Sequence, residues 1–557
     1  MPSRLRVQLY FIIGAALLFL PGLGAVHLFD WDEINFAEIA REMIMTGDWS
    51  RPQIDYQPFH EKPPLFMWLQ AISMKLIGIG EYAARFPNAI CGIITLIILY
   101  RIGDQVRSKV FAMLWPLAYL GSILPHLYFR SGIIDPWFNL FIFLGIHSFI
   151  TLVQGDPTRQ EGALNSRRDK YAWLTGLFLG LAVLTKGPVG VLIPALMAAV
   201  YWVLGKFKPY LRLRRAVIIV VSTVATIATW GVIDLIANGP DFMIAFFWRQ
   251  VAMLTTEDAG HGGFFGYHFV VLLIGCFPAS LFAIKEFFSP TRSKDPIRND
   301  HRRWMVILFW VVLILFSIVR TKIVHYSGMA YFPLTYLAAL QLERIWQKRE
   351  SFGWPRFAIG IVGGLFVLIT IALPFLGMNV DLITPLFDQD PFARANLEAD
   401  VRWTGFEALA GVWLLGVLIA AHVLHGRSLF RQSILTLFIG SALFVTITLY
   451  FFINRIEAYS QRAAIEFFKE RQKEEAYVIT IGYKSYAHLY YTMKPPVIDP
   501  RAHDREWLLH GEVDRSVYAV SKITSVDEVL AIGTFEELYR RNGFVFWQRK
   551  QLSSPPE

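Results

Sequence analysis

Residues 7–29, VQLYFIIGAALLFLPGLGAVHLF, are followed at once by Asp30-Trp31-Asp32-Glu33. A bilayer core about 30 Å thick takes roughly 20 apolar residues as a helix, and this stretch offers them directly behind Arg4 and Arg6. Gly22-Leu23-Gly24-Ala25 also reads as a small-residue cleavage site. The run is longer than a usual signal core, so a retained first helix is the expectation. Either reading puts residues 30–86 outside.

Working outward, further apolar runs predict spans near 87–106, 109–129, 136–154, 171–186, 188–204, 216–237, 265–288, 304–319, 323–342, 356–378, 406–423 and 432–453. The fold class is a mainly α-helical polytopic membrane protein with about thirteen transmembrane helices. Composition agrees: 55% of the 557 residues are hydrophobic and only 17% charged, where soluble domains carry nearer a quarter. The net charge of +9 raises nucleic acid as a partner, but Lys and Arg sit in short segments between apolar runs, as topology demands. A lipid bilayer, with no nucleic acid, is therefore the expected environment. Arg101, Arg107 and Lys109, then Lys206 to Arg215, then Arg292 to Arg303, mark inside segments. Segments 238–264 and 379–405 instead carry Asp241, Glu257, Asp258, Asp381, Asp388, Asp390, Glu398 and Asp400. Cys91 and Cys276 fall in separate apolar runs without metal-ligand spacing.

Two domains follow: 1–453, a transmembrane domain that includes the first outer loop 30–86, and 454–557, a small extracytoplasmic α/β domain. In the latter, 477–481, 517–520 and 544–547 read as strands, and Thr534 onward as a short capped helix. In the first loop, Phe36, Ile39, Ala40, Met43 and Ile44 follow helical spacing, which predicts an amphipathic interfacial helix stopped by Gly47. His60-Glu61-Lys62-Pro63-Pro64 then starts a second helix at its prolines.

Asp32 and Glu33 suit a helix N-terminus, where carboxylates complement the dipole. Asp135, before Pro136, suits an N-cap equally well. Their functional reading comes from cations on the outer side, where topology does not require them: Lys62, Lys186, Arg249, Arg320 and Lys322. Each alone could be a snorkelling helix end; together they suit a lipid-linked phosphate. His325 and Tyr326 follow the last pair and, like Glu33, read as substrate-binding or structural residues.

The blocks Asp32-Glu33, Phe36 to Met43, Gly47-Asp48-Trp49, Glu61-Lys62-Pro63-Pro64, Asp135-Pro136, Thr185-Lys186-Gly187-Pro188 and His261-Gly262-Gly263-Phe264-Phe265 resemble the GT-C glycosyltransferases. The likeness is to the bacterial family that includes the lipid A aminoarabinose transferase, related to the protein O-mannosyltransferases. The resemblance implies a cavity between membrane and outer loops, with Asp32, Glu61 and Asp135 as catalytic residues. The reading of Lys62, Lys186, Arg249, Arg320 and Lys322 as binders of the carrier phosphate rests on their outer-side placement, and Arg249 matches none of the family blocks. The resemblance further implies that His261 can help Glu61 hold a metal, a divalent ion such as zinc being the candidate cofactor. The expected partners are a polyprenyl-phosphate-linked sugar donor, undecaprenyl phosphate or similar, and a lipid or protein acceptor. The expected reaction is inverting transfer at the extracytoplasmic face of the inner membrane. A protein O-glycosyltransferase and a transporter of lipid-linked glycan are the competing readings.

Overall fold

A computed structural model describes residues 3–154, 161–255, 262–497 and 499–550. The chain starts with helix α1 (Arg4–Phe19). This helix stops ten residues short of the apolar run because Pro21 has no N–H to donate and Gly22 turns to φ +73°. Then come α2 (Asp32–Thr46), the hairpin β1 (Gln53–Ile54) and β2 (Gln57–Pro58), α3 (Leu65–Ile77), and α4 (Glu81–Val106). The helical body continues as α5 (Lys109–Leu120), α6 (Ile123–Tyr128), α7 (Asp135–Gln154), α8 (Glu161–Lys186), α9 (Val189–Leu204), α10 (Leu213–Asn238) and α11 (Asp241–Thr255). It closes with α12 (Tyr267–Gly275), α13 (Ala279–Phe288), α14 (Pro296–Ile318), a 3₁₀ turn over Val324–Ala330, α15 (Tyr331–Lys348), α16 (Pro355–Met378), α17 (Pro391–Asn396), α18 (Leu409–Gly426) and α19 (Phe430–Ala458).

Every predicted apolar run falls on helix, but not always on one. Among the described residues, seven helices are long and apolar enough to cross a membrane, or eight if α12 and α13 form one span bent by 116°. The 109–129 run divides at Gly121-Ser122 into α5 and α6, and the 323–342 run into the 3₁₀ turn and α15. Hydrophobicity reports burial in lipid or protein, not whether the backbone ladder is continuous. The body is held by one aromatic-rich core. Trp115 and Trp304 are fully buried in it, and Phe143 stacks on Phe332 with centroids 4.4 Å apart. Cys91 and Cys276 are unpaired and buried there.

The first loop departs from expectation in one respect. Helix α2 ends at Gly47, φ +75°, as predicted, yet its polar face is not left to solvent. Glu38, Arg41 and Glu42 are all buried, with Arg41 Nε and Nη2 donating to Glu38 at 2.7 and 2.6 Å. That pairing makes burial of charge tolerable.

What covers α2 is the last part of the chain: α20 (Arg462–Glu470), β3 (Ala476–Ile481), α21 (Ala487–Tyr491), α22 (Arg505–His510), β4 (Ser516–Lys522), α23 (Val526–Ile532), β5 (Phe535–Arg541) and β6 (Phe544–Arg549). The sheet order is β3-β4-β6-β5, with β3 parallel to β4 and the other pairs antiparallel. The three predicted strands are present. The helix predicted from Thr534 is instead strand β5, paired Phe535 with Arg549 and Arg541 with Phe544. Asn542 and Gly543, both at positive φ, make the tight hairpin turn that fixes this pairing. Phe467, Phe468, Tyr490, Val520 and Phe546 share a buried cluster with Ile34, Ala37, Ala71 and Met74 of α2 and α3. Leu28 N donates to Tyr491 Oη at 2.7 Å, and Gln461 Nε2 to Leu28 O at 2.7 Å.

Candidate active site

Adjacent acids Asp32 and Glu33 point to different sides of α2, since consecutive helical residues lie about 100° apart. Glu33 turns inward. Arg85 donates to it from Nη2 at 2.7 Å and from Nε at 3.0 Å, and the Phe29 and Gly132 amides donate as well. Arg85 spends its other N–H groups on the Leu23, Val26 and His27 carbonyls, each at 2.8 Å. Burial alone would push the Glu33 carboxyl up; Arg85 and these hydrogen bonds outweigh it and hold the carboxyl below its ordinary value. Glu33 is thus structural. It ties the entry of α2 to α4 and to the segment before α7.

Asp32 is left facing the space where other element ends converge. Asp135 opens α7, and Lys186 closes α8 with Nζ donating to Asp135 Oδ1 at 2.6 Å. From the 3₁₀ turn, His325 Nε2 lies 3.4 Å from Asp32 Oδ2 and 3.7 Å from Asp135 Oδ2. Asp135 Oδ2 is buried without a hydrogen-bond partner among the described residues. Lys186 Nζ also stands 5.2 Å from the Tyr326 ring centroid, within cation–π range. The acids differ in access: the Asp32 side chain is 33% exposed and that of Asp135 5%. Asp32 is the more accessible of the two.

Lys62 borders this cluster at the entrance to α3. Burial pulls its ammonium below the ordinary lysine range; Glu61 and Asp32 oppose that, while Lys186 and Arg249 add to it. Arg249, from α11, donates to Glu61 Oε1 at 3.0 Å. Three cations and three carboxylates therefore share one region, brought together from α2, α3, α7, α8 and α11.

One predicted phosphate-binding cation is committed elsewhere. Lys322 turns back on the helix it follows, Nζ donating to Phe316 O at 3.0 Å, to Ser317 O at 2.7 Å and to Val319 O. It satisfies the open carbonyls at the end of α14, where a cation also suits the helix dipole. Arg320 is exposed beside it. His261 lies outside the described residues, so its pairing with Glu61 around a metal does too. Among the described residues no three or more His, Cys, Asp or Glu gather as metal ligands.

The sequence carried no signal for Arg85, or for the C-terminal residues behind Asp32. Lys484 Nζ sits 4.8 Å from the Trp31 ring centroid, and the Tyr486 ring lies 5.6 Å from it. Both contacts join residues more than four hundred positions apart.

Comparison with known proteins follows the same lines. The family model described as dolichyl-phosphate-mannose-protein mannosyltransferase matches residues 61–230, a stretch holding Glu61, Lys62, Asp135 and Lys186. The undecaprenyl phosphate-alpha-4-amino-4-deoxy-L-arabinose arabinosyl transferase of Pectobacterium carotovorum is 26% identical over 438 residues, covering 77% of this chain and 74% of that protein. The protein of the same name from Aeromonas salmonicida is 28% identical over 377 residues, 67% of this chain and 65% of its own. Among solved structures, ArnT from Cupriavidus metallidurans bound to undecaprenyl phosphate superposes with a TM-score of 0.78 at 20% identity, covering all of both chains. An Archaeoglobus fulgidus oligosaccharyltransferase superposes at 0.52 and 13% identity, over 99% of this chain and 75% of that one. The resemblance read from the motifs is borne out, and the fold is of the GT-C type.

Proposed function

We propose that this chain, a GT-C glycosyltransferase by fold and by its relatives, transfers one sugar from a polyprenyl phosphate to a lipid hydroxyl. The carrier is undecaprenyl phosphate or a close equivalent, as in the names of the relatives. The observation that carries the reading is the convergence of an accessible carboxylate, Asp32, with the cations Lys62 and Lys186 at the ends of three separate elements. Asp32 takes the proton from the acceptor hydroxyl as its oxygen attacks the anomeric carbon. The bond from that carbon to the phosphate oxygen breaks, and its electron pair leaves with the polyprenyl phosphate. Lys62 and Lys186 stabilise the charge that develops there. A single displacement inverts the anomeric carbon. His325, between the two acids, orients Asp32, while Asp135 holds Lys186. Arg249 places Glu61 beside Lys62.

The basic segments between spans and the acidic ones opposite support an inner-membrane orientation with this site and the C-terminal region, residues 454–557, outside the cytoplasm. The mannosyltransferase family match keeps a protein hydroxyl as a second acceptor class.

The test is transfer of labelled sugar in proteoliposomes from a panel of polyprenyl-phosphate donors to lipid and peptide acceptors. Asp32→Asn is expected to lower kcat by about 10²–10⁴-fold, the usual worth of a positioned base, with undecaprenyl phosphate affinity unchanged. Full transfer by folded Asp32→Asn would remove the base assignment. Movement of intact lipid-linked glycan without product would replace the enzyme by a transporter.

A further inference from the structure

Helices α16, α18 and α19, each long and apolar enough to span a membrane, enclose a small cavity of about 40 Å³ at their far ends from Asp32. Its α19 wall, Leu437, is about 30 Å along the helix from Ala458, where the C-terminal region begins, at about 1.5 Å of rise per residue. Three basic residues, Arg356, His422 and His425, line it, and no Asp or Glu does. The acids closest to them in sequence, Glu350 and Glu407, are paired with Arg344 and Arg455.

The bonding of His425 fixes its proton. The Phe352 amide donates to His425 Nε2 at 3.1 Å. An amide nitrogen cannot accept, so Nε2 presents its lone pair and the proton of the neutral ring sits on Nδ1. His425 is only 5% exposed, and Nδ1 has no hydrogen-bond partner among the described residues. Arg356 Nε is likewise buried without a described partner. Two buried N–H donors beside one cavity require an acceptor, because a donor left unpaired costs its full desolvation. Gly360 and His422 are exposed, so the cavity opens between α16 and α18. A Cβ built on Gly360 or Gly364, one turn apart on α16, meets nothing within 4 Å. Trp354, exposed at the start of α16, stands where tryptophans mark a membrane interface.

We propose that this cavity receives the phosphate of an anionic phospholipid from the leaflet on the far side from Asp32. Arg356 and His425 donate to its oxygens, and the lack of a lining carboxylate leaves the arginine charge for a net-negative head group. The volume is far below the several hundred Å³ of a nucleotide or sugar site. Only the phosphate enters, therefore, and the acyl chains stay in the bilayer along the open strip of Gly360 and Gly364. Naming this leaflet cytoplasmic rests on the orientation proposed above; binding of the lipid rests on neither that orientation nor the transferase reading.

The experiment titrates delipidated full-length protein with phosphatidylglycerol, phosphatidylcholine and glycerol 3-phosphate, and counts bound molecules by native mass spectrometry. Wild type is expected to bind phosphatidylglycerol saturably and more tightly than either of the others. The double variant Arg356→Gln, His422→Gln should keep its lipid-free unfolding midpoint and lose at least about tenfold in phosphatidylglycerol affinity, the worth of one charge-assisted hydrogen bond. Gly360→Phe, which covers the mouth and leaves every charge in place, should weaken the same lipid. Unchanged phosphatidylglycerol affinity in either variant would overturn the site. Equal affinity for phosphatidylcholine would overturn selection of a net-negative head group. Glycerol 3-phosphate bound as tightly as the lipid would make the ligand a soluble phosphate, and a wild type that holds no lipid would leave the cavity to water. Asp32→Asn should bind phosphatidylglycerol as wild type does, whether or not wild type transfers sugar, which keeps this result separate from the transferase reading.

Discussion

Lys62 is held below the ordinary lysine range, chiefly by burial. A lysine needed as a cation fails once pH exceeds its own pKa, so the alkaline limit of transfer belongs below the value of a free lysine, about 10.4. Lys62→Arg keeps the charge at any working pH. Its pH–rate profile in kcat/KM should therefore lose that alkaline limb, though the larger guanidinium lowers the plateau. A limb unchanged in the arginine variant would assign the titration to another group. At this scale the sequence was half legible. Asp32, Lys62, Asp135 and Lys186 stand in motifs that could be read directly, and the structure brings them together. Glu33 could not be told from Asp32, because its partner Arg85 is 52 residues away. Lys322 could not be told from Lys186, because each follows an apolar helix. Whether an ammonium reaches across to a carboxylate or folds back on its own carbonyls depends on what packs opposite.

Elements were easier to find than to join. Periodicity located α2 and prolines located the start of α3, yet neither could show that α12 and α13 meet at 116°. The Glu33–Arg85 pair is the device that fixes α2 against α4. Removing one partner of a buried pair leaves the other charge uncompensated, typically at about 3–5 kcal/mol. Arg85→Met should lower the unfolding midpoint strongly, and Arg85→Lys should recover part of it but lack the guanidinium fork on three carbonyls. An Arg85→Met protein as stable as wild type would show that the pair positions nothing. Inside α2, Glu42 is pushed up to about 9 by burial, then by neighbouring Glu38. A carboxyl raised on folding contributes stability that is complete below the unfolded value, near 4.3, and is lost as pH climbs through the folded one. The unfolding midpoint of wild type should consequently fall from about pH 4 up to about pH 9. Glu42→Gln should flatten that slope, and a parallel fall in the variant would place the titrating group elsewhere.

At the scale of the whole molecule, the C-terminal sheet is a wall of the first loop rather than an appendage. Three of its four strands could be read from the sequence, where β5 reads as a helix, but their seat on α2 could not, because nothing local in either sequence announces a partner at the other end of the chain. A chain ending at residue 453 exposes the apolar face shared by Ile34, Ala37 and Met74. It should be recovered as aggregated or proteolysed protein, with no sugar transfer, even though every span is present. Recovery of a folded, active truncation would instead make residues 454–557 a separable module. The same seat imposes a timetable. Leu28 and Tyr491 are 463 residues apart, which at roughly 5–20 residues per second of synthesis is a delay of about 25–90 seconds. For that interval the loop that will hold Asp32 waits beside the bilayer with its covering partner not yet made. Until residues 454–557 are made, α2 lacks the cover that buries its apolar face, and competence for transfer is expected to appear only after them.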